Sequence, residues 1–212
     1  MNLPLILSVA EKPSVAKELA NIISGGQYDR RAGYSPFNQI FEIKQCQFRN
    51  QPAAMHMTSV TGHMMEQEFT HPYSNWSSCQ PVELFTAPIT KRVKKECENI
   101  QRTLIDEARR ASILLLWLDC DLEGENIAYE VIQVCKQANP NLNIYRARFS
   151  ALIPRDIMRT MQAPERPNPN FNDAVEARQE IDLRLGAAFT RFQTKRLQNK
   201  YADLTATLIS YG

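Results

Sequence analysis

The sequence predicts an α/β protein: a parallel sheet with flanking helices, followed by one long helix. Three observations carry that expectation. Two short apolar runs, Leu3–Ala10 and the uniformly apolar Ile113–Leu118, each end in acidic residues and lead straight into helical spacing. A run that short and that evenly apolar suits a strand buried on both faces, as in a parallel sheet. Strand-like and helix-like segments alternate along the first 160 or so residues, and that alternation favours strand–helix–strand units. Beyond three prolines, Pro164, Pro167 and Pro169, one helical pattern continues from Asp173 to Asn199.

Composition narrows the class. At 212 residues, 43% hydrophobic and 23% charged, the chain is ordinary globular material with enough length for one domain and an appendage. A net charge of +2 confines any nucleic-acid surface to a local patch. Cys46, Cys79, Cys97, Cys120 and Cys135 are odd in number and lack C-x-x-C spacing, which argues against a disulfide framework and a zinc site. No run approaches the roughly 18 apolar residues of a membrane span, and the start lacks a signal-peptide pattern. The expectation is a soluble intracellular protein with no membrane partner.

In chain order, Leu3–Ala10 is a first strand. Pro13 opens a helix whose Val15, Leu19, Ile22 and Ile23 form an apolar stripe, and Ser24-Gly25-Gly26 stops it. Arg30–Pro36 reads as a loop. Gln39–Phe48 and Ala53–Val60 read as strands joined by a turn at Asn50-Gln51-Pro52. Met64–Phe69 reads as a short apolar helix, and Pro72–Pro88 as irregular with Trp76 and Phe85 as anchors. Ile89–Arg110 reads as one charged outer helix with Val93, Ile100, Leu104 and Ile105 inward. After the central strand, Asn126 begins a helix with Ile127, Val131 and Val134 on one face. Asn139-Pro140-Asn141 turns the chain into a strand, Leu142–Phe149, that carries Arg146 and Arg148. Pro154–Met161 is a short helix. The long helix has an apolar stripe of Ile181, Leu185, Ala188, Phe189 and Phe192. Gly186 lies mid-helix, at a cost of about 1 kcal/mol relative to alanine.

The chemistry concentrates where the central strand hands over to its helix. Asp119, Asp121, Glu123 and Glu125 place four carboxylates within seven residues. Their mutual repulsion calls for a divalent cation, and oxygen-only ligands favour Mg²⁺ over zinc. Gly124 leaves room for close approach to the backbone. Asp121 as a helix N-cap, with Glu123 and Glu125 favourable to the helix dipole, accounts for two or three of these acids without a metal. It does not account for Asp119 at the end of a buried strand. Glu11 ends the first strand in the same way, so two neighbouring parallel strands would bring Glu11 toward Asp119 and Asp121, at the carboxyl edge where open α/β sheets bind ligands. Glu11-Lys12 could also be a solvated charge pair at a helix start, but the repeated pattern favours a shared site. His63 has two readings, a phosphate contact or a hydrogen-bonded, partly buried histidine, and spacing alone favours the second. Arg178 and Asp182 share a face of the long helix, with Arg191, Lys195 and Arg196 adding positive charge.

Six blocks in order, SVAEKPSVAKELA, MTSVTGHMM, WLDCDLEGENI, YRARFSAL, DAVEARQEIDLRLGAAFTRFQT and LISYG, closely resemble the amino-terminal part of type IA DNA topoisomerases, nearest the alpha type of the eukaryotic topoisomerase III branch. The resemblance covers essentially the whole chain. It implies a Toprim (Rossmann-like) domain over residues 1–161, a linker over 162–171, and the incomplete beginning of the DNA-gripping domain over 172–212. By the same resemblance Glu11 is the family's glutamate and Asp119, Asp121 and Glu123 its acidic triad, with Mg²⁺ as cofactor. Lys12 is a proton donor or phosphate contact. Arg178, Asp182, Arg191, Lys195 and His63 are expected on single-stranded DNA. One departure is plain: Leu122 stands where the family usually has arginine, which removes a positive charge beside the site.

The implied reaction is cutting, passing and resealing single-stranded DNA through a 5′-phosphotyrosyl link, without ATP. The family's nucleophilic tyrosine lies beyond this stretch, and Tyr211 has the wrong context for it. These residues alone are therefore expected to be inactive, monomeric or weakly self-associating. Partners implied by resemblance are a RecQ-type helicase and an OB-fold protein, in the nucleus. A Mg²⁺-dependent Toprim nuclease or primase module is a rival reading, which the DAVEARQEIDLRLG block argues against. A binding module that has lost catalysis is another, which the intact acids argue against.

Overall fold

The computed structural model describes residues 3–201. Its centre is a six-stranded sheet in the order β2-β3-β4-β1-β7-β8. The strands are β1 (Leu5–Ala10), β2 (Asp29–Ala32), β3 (Gln39–Phe48), β4 (Gln51–Ser59), β7 (Ile113–Trp117) and β8 (Asn143–Arg146). A separate two-stranded sheet pairs β5 (Met65–Phe69) with β6 (Ile89–Val93). The helices are α1 (Pro13–Ser24), α2 (Glu98–Ala108), α3 (Leu122–Ala138), α4 (Pro154–Gln162) and α5 (Pro169–Lys200).

β4, β1, β7 and β8 run parallel, and β3 and β2 extend the sheet antiparallel. The apolar runs of β1 and β7 occupy the middle of the sheet, where both faces are covered, and Ile6, Val9, Leu114, Leu115 and Leu116 are all fully buried. One face carries a core of Ile6, Met55, Met57, Leu115 and Trp117 under Leu19 and Ile23 of α1 and Ile157 and Met161 of α4. The alternate residues look the other way: His56, between Met55 and Met57, hydrogen-bonds Glu107 of α2 at 2.6 Å. The register sets Ala10 beside Trp117 and Ala10 beside Ser59, so β1, β4 and β7 end at one edge.

The chain divides into two compact units. The first runs to Met64 and resumes from Val93 to Asp173; the second joins Met65–Arg92 to the chain from Ala174 onward. The second unit therefore takes in residues 65–92, and the stretch read as a linker, 162–171, falls in the first. There Arg146 and Glu165 exchange both backbone hydrogen bonds, each 2.9 Å, so part of that stretch is zipped onto β8.

Several segments differ from their sequence reading. Met65–Phe69 is a strand, not a helix: Glu66 and Glu68, two residues apart and so on one face of a strand, both reach Arg92 of β6, at 3.2 and 3.0 Å. Ile89–Arg110 is not one helix, because β-branched Ile89, Thr90 and Val93 lie in β6 and the helix starts at Glu98. Asp29–Ala32 is an edge strand rather than loop, its Arg31 tied to Glu42 of β3 and Glu107 of α2. The β3–β4 turn is Arg49-Asn50, both with positive φ, one residue before the expected position. Leu84, not Trp76 or Phe85, is the buried anchor of the irregular region. On α5, Ala188 is buried, but Ile181, Leu185, Phe189 and Phe192 stay exposed.

Candidate functional site

The two acid-tipped strands meet as the sequence anticipates. Glu11 follows β1, and its N–H donates to the carbonyl of Trp117 at the end of β7, 3.2 Å. Its side chain leans the same way: Oε2 accepts from the Asp119 N–H at 3.1 Å. Lys12 closes the pair, its Nζ lying 3.3 Å from Glu11 Oε1 and 3.8 Å from Asp119 Oδ2. The hydrogen bond and charge of Glu11, with Asp119 adding to them, raise the Lys12 ammonium above its ordinary pKa. Asp121 is the N-cap of α3, its Oδ1 accepting from the Gly124 N–H at 2.7 Å.

The turn from Asp119 to Glu125 is held from beneath by Gly124, Arg146 and Glu125 in roles the sequence reading did not give them. A Cβ on Gly124 would sit 2.9 Å from the carbonyl carbon and 3.0 Å from the nitrogen of Asp119, and closer still to its oxygen. The space that glycine leaves is thus filled by the chain's own backbone, not a ligand. Arg146, fully buried on β8, donates Nη2 to the Asp119 carbonyl at 2.7 Å and Nη1 to the Ala147 carbonyl at 2.8 Å. Its charge is met by Glu125, itself 1% exposed, at 3.1 Å. Glu125 also accepts from the Asn168 N–H at 2.6 Å. Glu125 is therefore a structural counter-ion, not a fourth open acid. Arginine within the strand-like Leu142–Phe149 stretch, at Arg146 and again at Arg148, was the signal that could have shown it.

Glu123 faces a different partner. Its Oε2 lies 3.0 Å from His63 Nε2, and His63 Nδ1 lies 3.3 Å from Glu130. Glu130 is buried on α3 and accepts the Met64 N–H at 2.7 Å. The Glu130 hydrogen bond, opposed by burial and reinforced by Glu123, raises the imidazole pKa. His63 is thus hydrogen-bonded and partly buried, its two ring nitrogens lying against two carboxylates.

Against this geometry the comparisons are specific. Residues 6–152 match the Toprim domain. The chain belongs to the Toprim family. Among its relatives, the DNA topoisomerase 3-alpha of Arabidopsis thaliana is 52% identical over 98% of this chain, and that of Homo sapiens 45% over 98%. The chain spans only 23% and 21% of those two proteins' lengths. The full-length topoisomerase I of Thermotoga maritima shares the fold, with a TM-score of 0.54 at 22% identity over 90% of this chain and 26% of that one.

The donors of the Toprim site are oxygens, which suits a hard cation such as Mg²⁺. Among the described residues no group of three or more His, Cys, Asp or Glu side chains is arranged as a ready-made metal site. The cation lying between Glu11 and Asp119 is instead the Lys12 ammonium. The residues fit an ion that takes few protein ligands and keeps water and phosphate for the rest. Leu122 lies beside them, 47% exposed.

Besides His63, the residues expected on DNA lie in the second unit and divide into two kinds. Arg178 and Asp182 lie exposed one turn apart on α5. Arg191 is buried, its Nη1 donating to the Asn75 carbonyl at 3.1 Å and its Nη2 to that of Ser74 at 3.4 Å. Its guanidinium also lies over the Trp76 ring, 5.8 Å from the centroid. Lys195 donates to the Cys79 carbonyl at 3.4 Å. Both cations hold the 74–79 loop onto α5. Tyr211 and the LISYG block fall outside the described residues.

Proposed function

We propose that this chain is the Toprim part of a type IA DNA topoisomerase of the topoisomerase III kind, acting on single-stranded DNA. The observation that carries it is Glu11 and Asp119 side by side on neighbouring parallel strands with an ammonium between them, in a chain 52% identical to a topoisomerase 3-alpha. Glu11, Asp119 and Asp121 would hold Mg²⁺, with Glu123 acting through water while His63 holds its Oε2. Glu11, Asp119 and Asp121 would position the phosphate and the 3′ end for resealing, and Mg²⁺ held by them would supply charge neutralisation there. Lys12 contacts the scissile phosphate, or donates a proton to the leaving oxygen. Arg178, oriented by Asp182, contributes to strand binding; Arg191 and Lys195 support it by fixing the loop against α5. The tyrosine that forms the 5′-phosphotyrosyl link belongs to a further domain, so these 212 residues alone neither cleave nor relax DNA. By family likeness the whole protein works in the nucleus with a RecQ-type helicase and an OB-fold partner, in repair and recombination.

The test is a Mg²⁺ titration of the wild type and of Asp119→Asn/Asp121→Asn, followed by heat. Weaker binding by the variant is expected, and equal binding sinks the assignment. Relaxation of supercoiled plasmid by the 212 residues, or a covalent adduct on an oligonucleotide, would overturn the reading that the nucleophile lies elsewhere.

A further inference from the structure

The opposite end of the sheet carries a feature that the acid site does not use. β1, β4, β7 and β8 are parallel, so their first residues share the edge far from Glu11 and Asp119. A cavity of about 230 Å³ opens there, floored by Phe48, Ala53 and Ile113 and edged by the amides of Gln51 and Asn143. That is below the roughly 300–1,000 Å³ of sites for drug-sized molecules, so it has room for one small ring system.

Cations gather at the rim. Arg49 Nη1 donates to the Tyr145 hydroxyl at 2.6 Å, and its guanidinium lies 5.2 Å from the centre of that ring. Arg166 lies 4.4 Å from the same centre and spends one Nη1 contact, 2.6 Å, on the Ile144 carbonyl. Both arginines are exposed, and among the described residues neither has a carboxylate within 4.0 Å. Each guanidinium has five N–H donors, so most of theirs remain for a ligand.

The backbone is also held in place at a cost. Arg49 has φ of 51°, a left-handed conformation that suits Asn or Gly rather than arginine. The hairpin tip is fixed to the end of α4: the Arg49 N–H donates to the Met161 carbonyl at 3.1 Å and the Asn50 N–H to Gln162 at 2.6 Å. A strained arginine kept where asparagine would be at ease points to a use for its side chain.

We propose that this edge is a second phosphate-bearing site, taking one unpaired nucleotide: the base in the cavity against Phe48, its edge on Gln51 and Asn143, and the phosphate on Arg49 and Arg166. Guanidinium pairs match phosphate geometry, and an apolar shelf beside a cationic rim is how single strands are held without sequence preference. The assignment does not depend on the acid site. The ligand chemistry is shared by a free mononucleotide and by a nucleotide within a strand, and the test separates them.

Amide chemical shifts of the wild-type chain are followed on adding inorganic phosphate, thymidine, thymidine 5′-monophosphate and a short oligothymidylate. The monophosphate should move the signals of Gln51, Asn143 and Tyr145 and bind at least tenfold more tightly than phosphate or thymidine. Arg49→Asn/Arg166→Gln should lose at least tenfold of that affinity while its thermal midpoint holds or rises, because asparagine suits the turn. Asp119→Asn/Asp121→Asn should bind like the wild type, so failure here is distinct from failure of the Mg²⁺ assignment. Tighter binding of the oligonucleotide, lost in the arginine variant, identifies a strand as the ligand; equal binding identifies the free nucleotide. Phosphate binding as tightly as the monophosphate, or an arginine variant that binds normally, overturns the proposal.

Discussion

Gly124→Ala sets two physical effects against each other at the centre of the Toprim site. Gly124 lies in the first turn of α3, so alanine should gain up to about 1 kcal/mol of helix propensity. The added Cβ, however, would meet the Asp119 backbone at 2.9 and 3.0 Å, and its oxygen closer still. Carbon atoms prefer separations of about 3.5–4.0 Å. The neighbour is main chain fixed by Arg146 and Glu11, so it cannot swing aside as a flexible side chain would. Overpacking of this kind costs about 1–3 kcal/mol, and the rigid neighbour puts the cost toward the upper end. The clash outweighs the propensity, and the variant should be less stable by roughly 1–2 kcal/mol. Gly186 is the internal contrast: it too is helical, but a Cβ there meets nothing within 4 Å. Gly186→Ala should therefore stabilise by about 0.5–1 kcal/mol. Urea unfolding followed by circular dichroism, with unchanged m-values, reads both. A Gly124→Ala protein as stable as the wild type would refute the close-approach argument.

Glu107 is 2% exposed in its side chain, and its carboxyl is held down at about 2: burial, which raises it, is outweighed by hydrogen bonds from His56 and Arg31. Its folded value is below its ordinary 4.5, so the stability it confers is present above pH 4.5 and lost as pH falls toward 2, on the order of 3 kcal/mol. Glu107→Gln should flatten unfolding free energy against pH in that window, and an unchanged slope would count against the ion cluster. For His63, raised by Glu130, the sign is opposite: stability is present below its unfolded pKa and disappears as pH rises through the folded one. His63→Gln should remove that loss, and the imidazole proton shifts should titrate above the ordinary 6.5. Arg191→Ala should destabilise by about 1–3 kcal/mol through the carbonyls it leaves unpaired, read as lost protection from hydrogen exchange at residues 74–79. In the full-length enzyme Arg178→Ala should reduce the salt slope of single-strand binding by about 0.7, and an unchanged slope would remove Arg178 from the DNA contacts.

The parallel core was legible because its signals are local. Six apolar residues at Ile113–Leu118 cannot be left in water, and the acids that follow mark the strand's end whatever lies beside it. Gln39–Phe48 and Ala53–Val60 are strand-like runs joined by a short turn, and Pro13 and Gly25 bound α1 by their own backbone preferences. Even the meeting of Glu11 with Asp119 followed from two parallel strands ending together. Tertiary structure alone decided what depends on partners distant in the chain. Met65–Phe69 is a strand because β6 lies beside it, about 20 residues on, and its i,i+4 apolar spacing fits a helix equally well. Glu125 looked like Glu123 in sequence, yet one is buried on Arg146 and the other faces His63. Arg191 and Arg178 lie on the same helix with the same charge, and only the 74–79 loop makes the first a buried brace. A side chain's pattern sets which element it can form, but desolvation and hydrogen-bond partners set its role, and those are fixed only when distant segments come together.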